Sequence, residues 1–115
     1  MKSLIISIGL ILIFSSIVIS QKSRVQEEKF KVFGNCGMCK DRIEKAVKIK
    51  EVKYAKWDKK SKILTIAFLS PAISSDSLKK RIAAVGHDTE KFMAPDTVYS
   101  ALPGCCLYRT NPKTH

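Results

Sequence analysis

The chain contains two close pairs of cysteines, and their side chains are the ones best suited to chemistry. Cys36 and Cys39 are separated by two residues, with one glycine before the pair and another between its members. Cys105 and Cys106 are adjacent in the C-terminal part of the chain. Two thiolates at the first spacing can bind a soft metal ion, or they can alternate between dithiol and disulfide. The spacing alone leaves both chemistries open.

The residues on either side of the first pair predict a strand, a loop and a helix. Lys29–Phe33 alternates charged and bulky side chains, as a strand does. From Cys39 to about Ile49 the apolar residues recur at helical spacing. A cysteine at the start of a helix lies near unpaired backbone N–H groups and the positive end of the helix dipole, which favour the thiolate. The pattern therefore predicts two reactive thiols on a loop that enters a helix.

The remaining sequence completes an alternation of strands and helices. The predicted elements are strands Val52–Trp57 and Ile63–Leu69, a helix capped by Ser74, Ser75 or Asp76 and stopped by Gly86, and a fourth strand His87–Met93. This order predicts an α+β fold, a ferredoxin-like βαββαβ sandwich in which two helices cover one face of a four-stranded antiparallel sheet. A C-terminal extension, residues 94–115, follows, with a short helical segment at Asp96–Leu102.

The N-terminal segment, residues 1–20, is typical of an export signal. Lys2 supplies the basic start, a long apolar run follows it, and small residues precede a plausible cleavage before Gln21. An uncleaved membrane anchor is the alternative, since a spanning helix needs about 20 apolar residues. Both alternatives predict an extracytoplasmic, most simply periplasmic, protein, in which residues 21–28 form a polar linker. Disulfides are permitted in such a compartment.

Length and charge limit the classes of function. The 115 residues suffice for one domain after a targeting segment. The 21 Lys and Arg against 10 Asp and Glu give a net charge of +11, which suits an acidic protein partner. Nucleic acid is not an expected partner, because the aromatic pair of an RNA-recognition sheet is missing and the chain carries an export signal. The sequence has no Ser-His-Asp order or carboxylate pair, so we expect no enzyme.

Residues 29–93 resemble the heavy-metal-associated domain of copper chaperones and periplasmic mercury-binding proteins. The resemblance is carried by Gly34-Asn35-Cys36-Gly37-Met38-Cys39 with its following helix, and by Val85-Gly86-His87-Asp88. It implies that Cys36 and Cys39 bind a metal ion and exchange it with a metal-transporting ATPase or another metal-exchange protein. Soft sulfur ligands favour Cu(I), with Hg(II) or Zn(II) as alternatives. The family usually has Met two residues before the first cysteine, where this chain has Gly34.

Three further residues are candidates for the same site. A fourth strand antiparallel to the first would start near the cysteine loop, so His87 could be a third ligand or a hydrogen-bond partner. The C-terminal extension is long enough to bring Cys105 and Cys106 back to that loop, as a second site, a shared site, or a vicinal disulfide. The rival function is an exported thiol–disulfide redox protein that uses Cys36 and Cys39.

Overall fold

The structure, a computed structural model, describes residues 22–110. The predicted export signal, residues 1–20, and the last residues of the extension, 111–115, lie outside this part of the chain. The helices and strands are β1 Arg24–Lys31, α1 Gly37–Ala46, β2 Val52–Trp57, β3 Ile63–Ser70, α2 Ser75–Ala84 and α3 Asp96–Ser100. A single 3-10 turn, Gly104–Cys106, follows α3. No helix within the described residues is long and apolar enough to span a membrane.

The strands form an antiparallel sheet in the order β1-β3-β2. The predicted hairpin between β2 and β3 is confirmed, and Asp58 makes its turn by accepting hydrogen bonds from the backbone N–H groups of Lys60 and Ser61 at 2.7 and 3.2 Å. Three alternate residues of β3 are buried and enter the same core as residues of α1 and α2. This core consists mainly of Leu64, Ile66, Phe68, Ile43, Val47, Leu78 and Ile82. The α+β class predicted from the sequence is thus confirmed.

The first strand begins earlier than the sequence predicted, at Arg24 instead of Lys29. Residues 24–28, which were assigned to the polar linker, pair with β3 in a continuous register that runs from Arg24 opposite Ser70 to Lys31 opposite Ile63. Their side chains are mostly exposed, so they show no alternation of apolar and polar residues. Backbone pairing along the full length of β3 extends the strand without any such pattern.

The predicted fourth strand, His87–Met93, is not formed among the described residues. It is reduced to a single bridge between Val32 and Thr89. In this segment, nearby side chains accept hydrogen bonds from backbone N–H groups, which in a strand would bond to the neighbouring strand. Thr89 Oγ1 accepts from the N–H of Phe92 at 2.9 Å, and Asp88 Oδ1 accepts from the N–H of Ala94 at 2.7 Å. Short polar side chains that bond to nearby backbone in this way favour turns over sheet pairing.

Both predicted helices are present with shifted limits. Helix α1 begins at Gly37, two residues before the predicted start, and ends at Ala46. Helix α2 is capped by Ser74, whose hydroxyl accepts from the N–H of Ser77 at 3.1 Å. Gly86 follows the C-cap residue of α2 and has a φ of +109°. This is the left-handed conformation for which a glycine was expected at the end of the helix.

Candidate metal centre

Cys36 and Cys39 lie at the junction of the loop and helix α1. Cys36 occupies the N-cap position with an extended backbone, and its carbonyl accepts from the N–H of Lys40 at 3.0 Å. Cys39 lies in the first turn of the helix and is fully buried, whereas Cys36 is half-buried. Their Sγ atoms are 3.7 Å apart. The helix start thus presents two neighbouring sulfurs, one facing the core and one facing the surface.

The start of α1 is held against the end of β2 by polar contacts and by close packing. Glu44 accepts a hydrogen bond from the backbone N–H of Trp57 at 3.0 Å and forms an ion pair with Lys40. Gly34 packs against Cys39 and Trp57. A Cβ on Gly34 would come within 3.1 Å of both the Cys39 Cβ and the Trp57 ring. A side chain at this position, two residues before the first cysteine, would therefore be tightly packed against Cys39 and Trp57.

The C-terminal extension brings the second cysteine pair to the first. The 3-10 turn Gly104–Cys106 places the Sγ of Cys105 3.3 Å, and that of Cys106 3.7 Å, from the Sγ of Cys36. Cys106 is fully buried, and Cys105 is exposed. The donor atoms of Cys36, Cys39 and Cys106 all lie within 4.8 Å of one another, the distance at which one ion can bind all three. No disulfide joins the four cysteines in the structure, and their sulfurs lie together, as the shared-site alternative requires.

The sulfurs differ in how readily they ionise. Burial acts to raise the pKa of Cys36, but its hydrogen bonds with the backbone N–H of Cys39 and with the neighbouring thiols outweigh burial and lower the pKa to about 7. Burial raises the pKa of Cys106, and its hydrogen bond with Cys39 adds to this. The pKa of Cys105 is raised, chiefly by its hydrogen bond with Cys36. At neutral pH, Cys36 is thus more ready than Cys105 or Cys106 to bind a metal ion as a thiolate.

The side chains of Arg42 and His87 lie beside Cys106. The Arg42 Nη1 lies 3.4 Å from the Cys106 Sγ and 3.5 Å from the His87 Nε2. The His87 Nδ1–H donates to the carbonyl of Phe33 at 2.8 Å, which leaves Nε2 as the acceptor for the guanidinium. Burial lowers the pKa of His87 to about 4, so the ring is neutral. Among the described residues, His87 does not belong to the group whose donor atoms all lie within 4.8 Å of one another, and its Nε2 faces the guanidinium that contacts Cys106.

A second, smaller cluster of buried residues, Ala94, Tyr99 and Tyr108, holds the extension beside the cysteines. The Tyr108 hydroxyl donates to the carbonyl of Gly86 at 2.6 Å and accepts from the N–H of Asp88 at 2.8 Å, and its ring stacks on His87 with centroids 5.5 Å apart. Arg109 binds Asp88 through Nε and Nη2 at 2.9 and 2.8 Å. Burial acts to raise the pKa of Asp88, but these bonds outweigh it and lower the pKa. The described part of the extension, up to residue 110, is therefore packed against the domain next to the site.

The sequence analysis missed several of these contacts. The Met38 Sδ lies 3.6 Å from the Cys105 Sγ on the exposed side of the cluster, a contact that was not predicted. The contacts of Tyr108 and Arg109 were not predicted either. Local spacing gives no sign of these roles, because the partners of Tyr108 and Arg109 are about 20 residues away along the chain.

Comparisons with known proteins add a likeness of fold. No protein-family model matches the chain, and no curated protein matches it. Among solved structures, it is similar to one described as a CopZ metallochaperone, with a TM-score of 0.53 and 24% sequence identity. The likeness covers 56% of this chain and 98% of that one. Nearly the whole of that smaller protein thus shares its fold with a little over half of this chain.

Proposed function

We propose that the protein binds one soft metal ion, most readily Cu(I), through Cys36 and Cys39 and passes it to or from another metal-binding protein. The observation that carries the proposal is the sulfur cluster at the start of α1, where Cys36 has a pKa of about 7 and a neighbouring sulfur at 3.7 Å. Thiolate ligands select soft ions, and metal binding displaces their protons. The shared fold with a protein described as a metallochaperone supports the same function.

The position of the pair suits transfer. Cys36 is half-buried at the N-cap, where an incoming thiolate of a partner can approach the ion, while Cys39 is buried and anchors it. As the partner's thiolate forms a metal–sulfur bond, a bond to the carrier breaks and the released sulfur can take up a proton. The oxidation state of the ion does not change. In this proposal the protein carries its ion and catalyses no reaction.

The proposal extends to the partner and the compartment. Residues 1–20 have the character of an export signal, so we place the protein outside the cytoplasm, most simply in a periplasm. The net charge, which is +11 for the whole chain and +10 once Lys2 is removed with the signal, would steer it towards an acidic surface on a metal-transporting ATPase or another metal-exchange protein. Cell fractionation, with sequencing of the mature N-terminus, tests this placement, and we expect the mature chain to begin at Gln21.

Anaerobic titration of the reduced protein with Cu(I), in competition with a chelator of known affinity, tests the binding. We expect one ion per chain, and a loss of affinity of more than about 100-fold in the Cys36→Ser/Cys39→Ser variant, since even an outer-shell change can cost 10–100-fold. Met38→Leu serves as the matched control, because it removes an exposed sulfur of the same loop and keeps both thiols. Unchanged affinity in the double variant would refute the proposal.

A second candidate is thiol–disulfide exchange by Cys36 and Cys39, and the lowered pKa of Cys36 is the observation that favours it. An insulin-reduction assay on metal-free protein separates the two functions. Rapid turnover that does not depend on metal would favour the redox protein, and its absence together with tight Cu(I) binding would favour the carrier.

A further inference from the structure

We infer that Cys106 is a third resident ligand, so that the ion is held by the three thiolates of Cys36, Cys39 and Cys106 and the C-terminal extension completes the site. This inference rests on the proposed function and deepens it. It assigns the protein an ion that accepts three sulfurs at once, such as Cu(I) or Hg(II), where the cysteine pair alone would offer two.

The separations of the sulfurs fit a three-coordinate ion. With metal–sulfur bonds of about 2.3 Å, an ion in the plane of three sulfurs holds them about 4.0 Å apart, whereas an ion in line between two sulfurs holds them about 4.6 Å apart. The Cys36 Sγ lies 3.7 Å from the Sγ atoms of both Cys39 and Cys106. All three donor atoms lie within 4.8 Å of one another. The triangle is thus near the size needed for three bonds, and the Cys36–Cys39 pair is too close for a linear arrangement.

The fold holds Cys106 at this position firmly. Its side chain is fully buried and belongs to the main core together with Cys39 and Ile43. Its backbone N–H donates to the carbonyl of Pro103 at 2.8 Å, and its carbonyl accepts from the N–H of Tyr108 at 2.8 Å. A ligand fixed in this way has little conformational freedom to lose when the ion binds, which favours affinity.

Arg42 supplies the charge that a third thiolate requires. Three thiolates and one monovalent ion carry a net charge of −2, which is costly in a buried site without a cation nearby. The Arg42 guanidinium lies 3.4 Å from the Cys106 Sγ, and the neutral His87 ring fixes it from the other side at 3.5 Å. Arg42 is therefore a positioning residue that favours the thiolate of Cys106.

Cys105 differs from Cys106 in its exposure and in its place relative to the other sulfurs. Its side chain is exposed, and it does not belong to the group of three whose donor atoms all lie within 4.8 Å. Its Sγ lies 3.3 Å from that of Cys36 and 3.6 Å from the Met38 Sδ, on the outer side of the cluster. The two neighbouring cysteines of the extension thus form a matched pair for an experiment, one inside the triangle and one outside it.

X-ray absorption at the copper edge tests the inference on the reduced full chain, loaded anaerobically with less than one equivalent of Cu(I). We expect three sulfur neighbours in the wild type and in Cys105→Ser, and two in Cys106→Ser. The dissociation constant of Cys106→Ser should rise by about tenfold or more, since a lost ligand should cost at least as much as a lost outer-shell partner. Cys106→Ala, with far-ultraviolet circular dichroism of each variant, guards against a misfolded serine variant.

The outcomes separate this inference from the proposed function. Two sulfurs in the wild type, or a third sulfur lost in Cys105→Ser and kept in Cys106→Ser, would overturn the inference while tight binding by Cys36 and Cys39 still stood. If a folded Cys36→Ser/Cys39→Ser chain bound Cu(I) as tightly as the wild type, the proposed function would fail first.

Discussion

Acid should destabilise the metal-free protein well above the pH at which carboxylates titrate, because His87 is buried in its neutral form. The ring is fully buried, donates from Nδ1 to the carbonyl of Phe33 and faces the Arg42 guanidinium through Nε2. The other titratable groups against it are the Asp88 carboxylate, whose charge favours protonation, and the Tyr108 phenol, which stacks on the ring. Burial has the largest effect and lowers the pKa of His87 from 6.5 to about 4.

The sign and size of the effect follow from proton linkage. Between pH 6.5 and about pH 4 the unfolded chain binds a proton at His87 and the native chain does not, so the free energy of unfolding falls as the pH falls. Each pH unit in this window costs about 1.4 kcal/mol, and the loss between pH 7 and pH 5 amounts to about 2 kcal/mol. Below about pH 4 both states are protonated and this contribution levels off.

Urea unfolding of the reduced, metal-free protein at pH 7 and pH 5 measures the loss. His87→Gln keeps a donor for the Phe33 carbonyl and an acceptor for Arg42 but cannot titrate, so it should be less stable at pH 7 and lose about 2 kcal/mol less than the wild type on going to pH 5. His115→Gln, at the other histidine of the chain, is the control. If the wild type and His87→Gln lost the same free energy within about 0.5 kcal/mol, the assignment of the acid sensitivity to His87 would be refuted.

Two further changes test the packing around the cysteines by the same unfolding measurement. Gly34→Ala should lower the free energy of unfolding by about 1–3 kcal/mol, because the new Cβ would meet the Cys39 Cβ and the Trp57 ring at 3.1 Å. Gly37→Ala is the control and should not lower it, since a Cβ there meets nothing within 4 Å. Equal effects of the two changes would contradict the steric argument. Arg109→Leu should cost about 3 kcal/mol by leaving the Asp88 carboxylate buried without its partner. The matched Lys91→Ala breaks an exposed ion pair and should cost less than about 1 kcal/mol, so a similar loss in both would show that burial of the Asp88 pair does not matter.

The sequence predicted the elements whose side chains repeat with a regular period, and it failed where backbone or distant contacts decide. Strand β3 and helix α2 carry clear patterns and are found where they were predicted, and strand β2, which was predicted from its composition, is found as well. The start of β1 carries none, because its side chains are largely exposed. The fourth strand was predicted from its place in the order of elements, but Thr89 binds its own turn instead.

The same distinction holds for the site: its local features could be predicted from the sequence, and those that depend on distant contacts could not. The spacing of Cys36 and Cys39 places them together at the start of a helix, since they are three residues apart on the same turn. The position of Cys106 was left open, because its sulfur meets that of Cys36 across 70 residues of sequence. Its place depends on contacts of Tyr108 and Arg109 that only the folded extension reveals.

The absence of the predicted fourth strand from the described structure is linked to the position of the Cys106 sulfur. Because the segment after α2 turns instead of pairing along β1, the described structure leaves the Gly86 carbonyl and the Asp88 carboxylate facing the extension, where Tyr108 and Arg109 bind them. A buried acceptor without a partner costs about 1–3 kcal/mol, and more for a charged group. A chain shortened to end after Ala94 would lose these partners and should therefore be a less stable domain. The contacts that stabilise the turn are the same ones that bring Cys106 to the site.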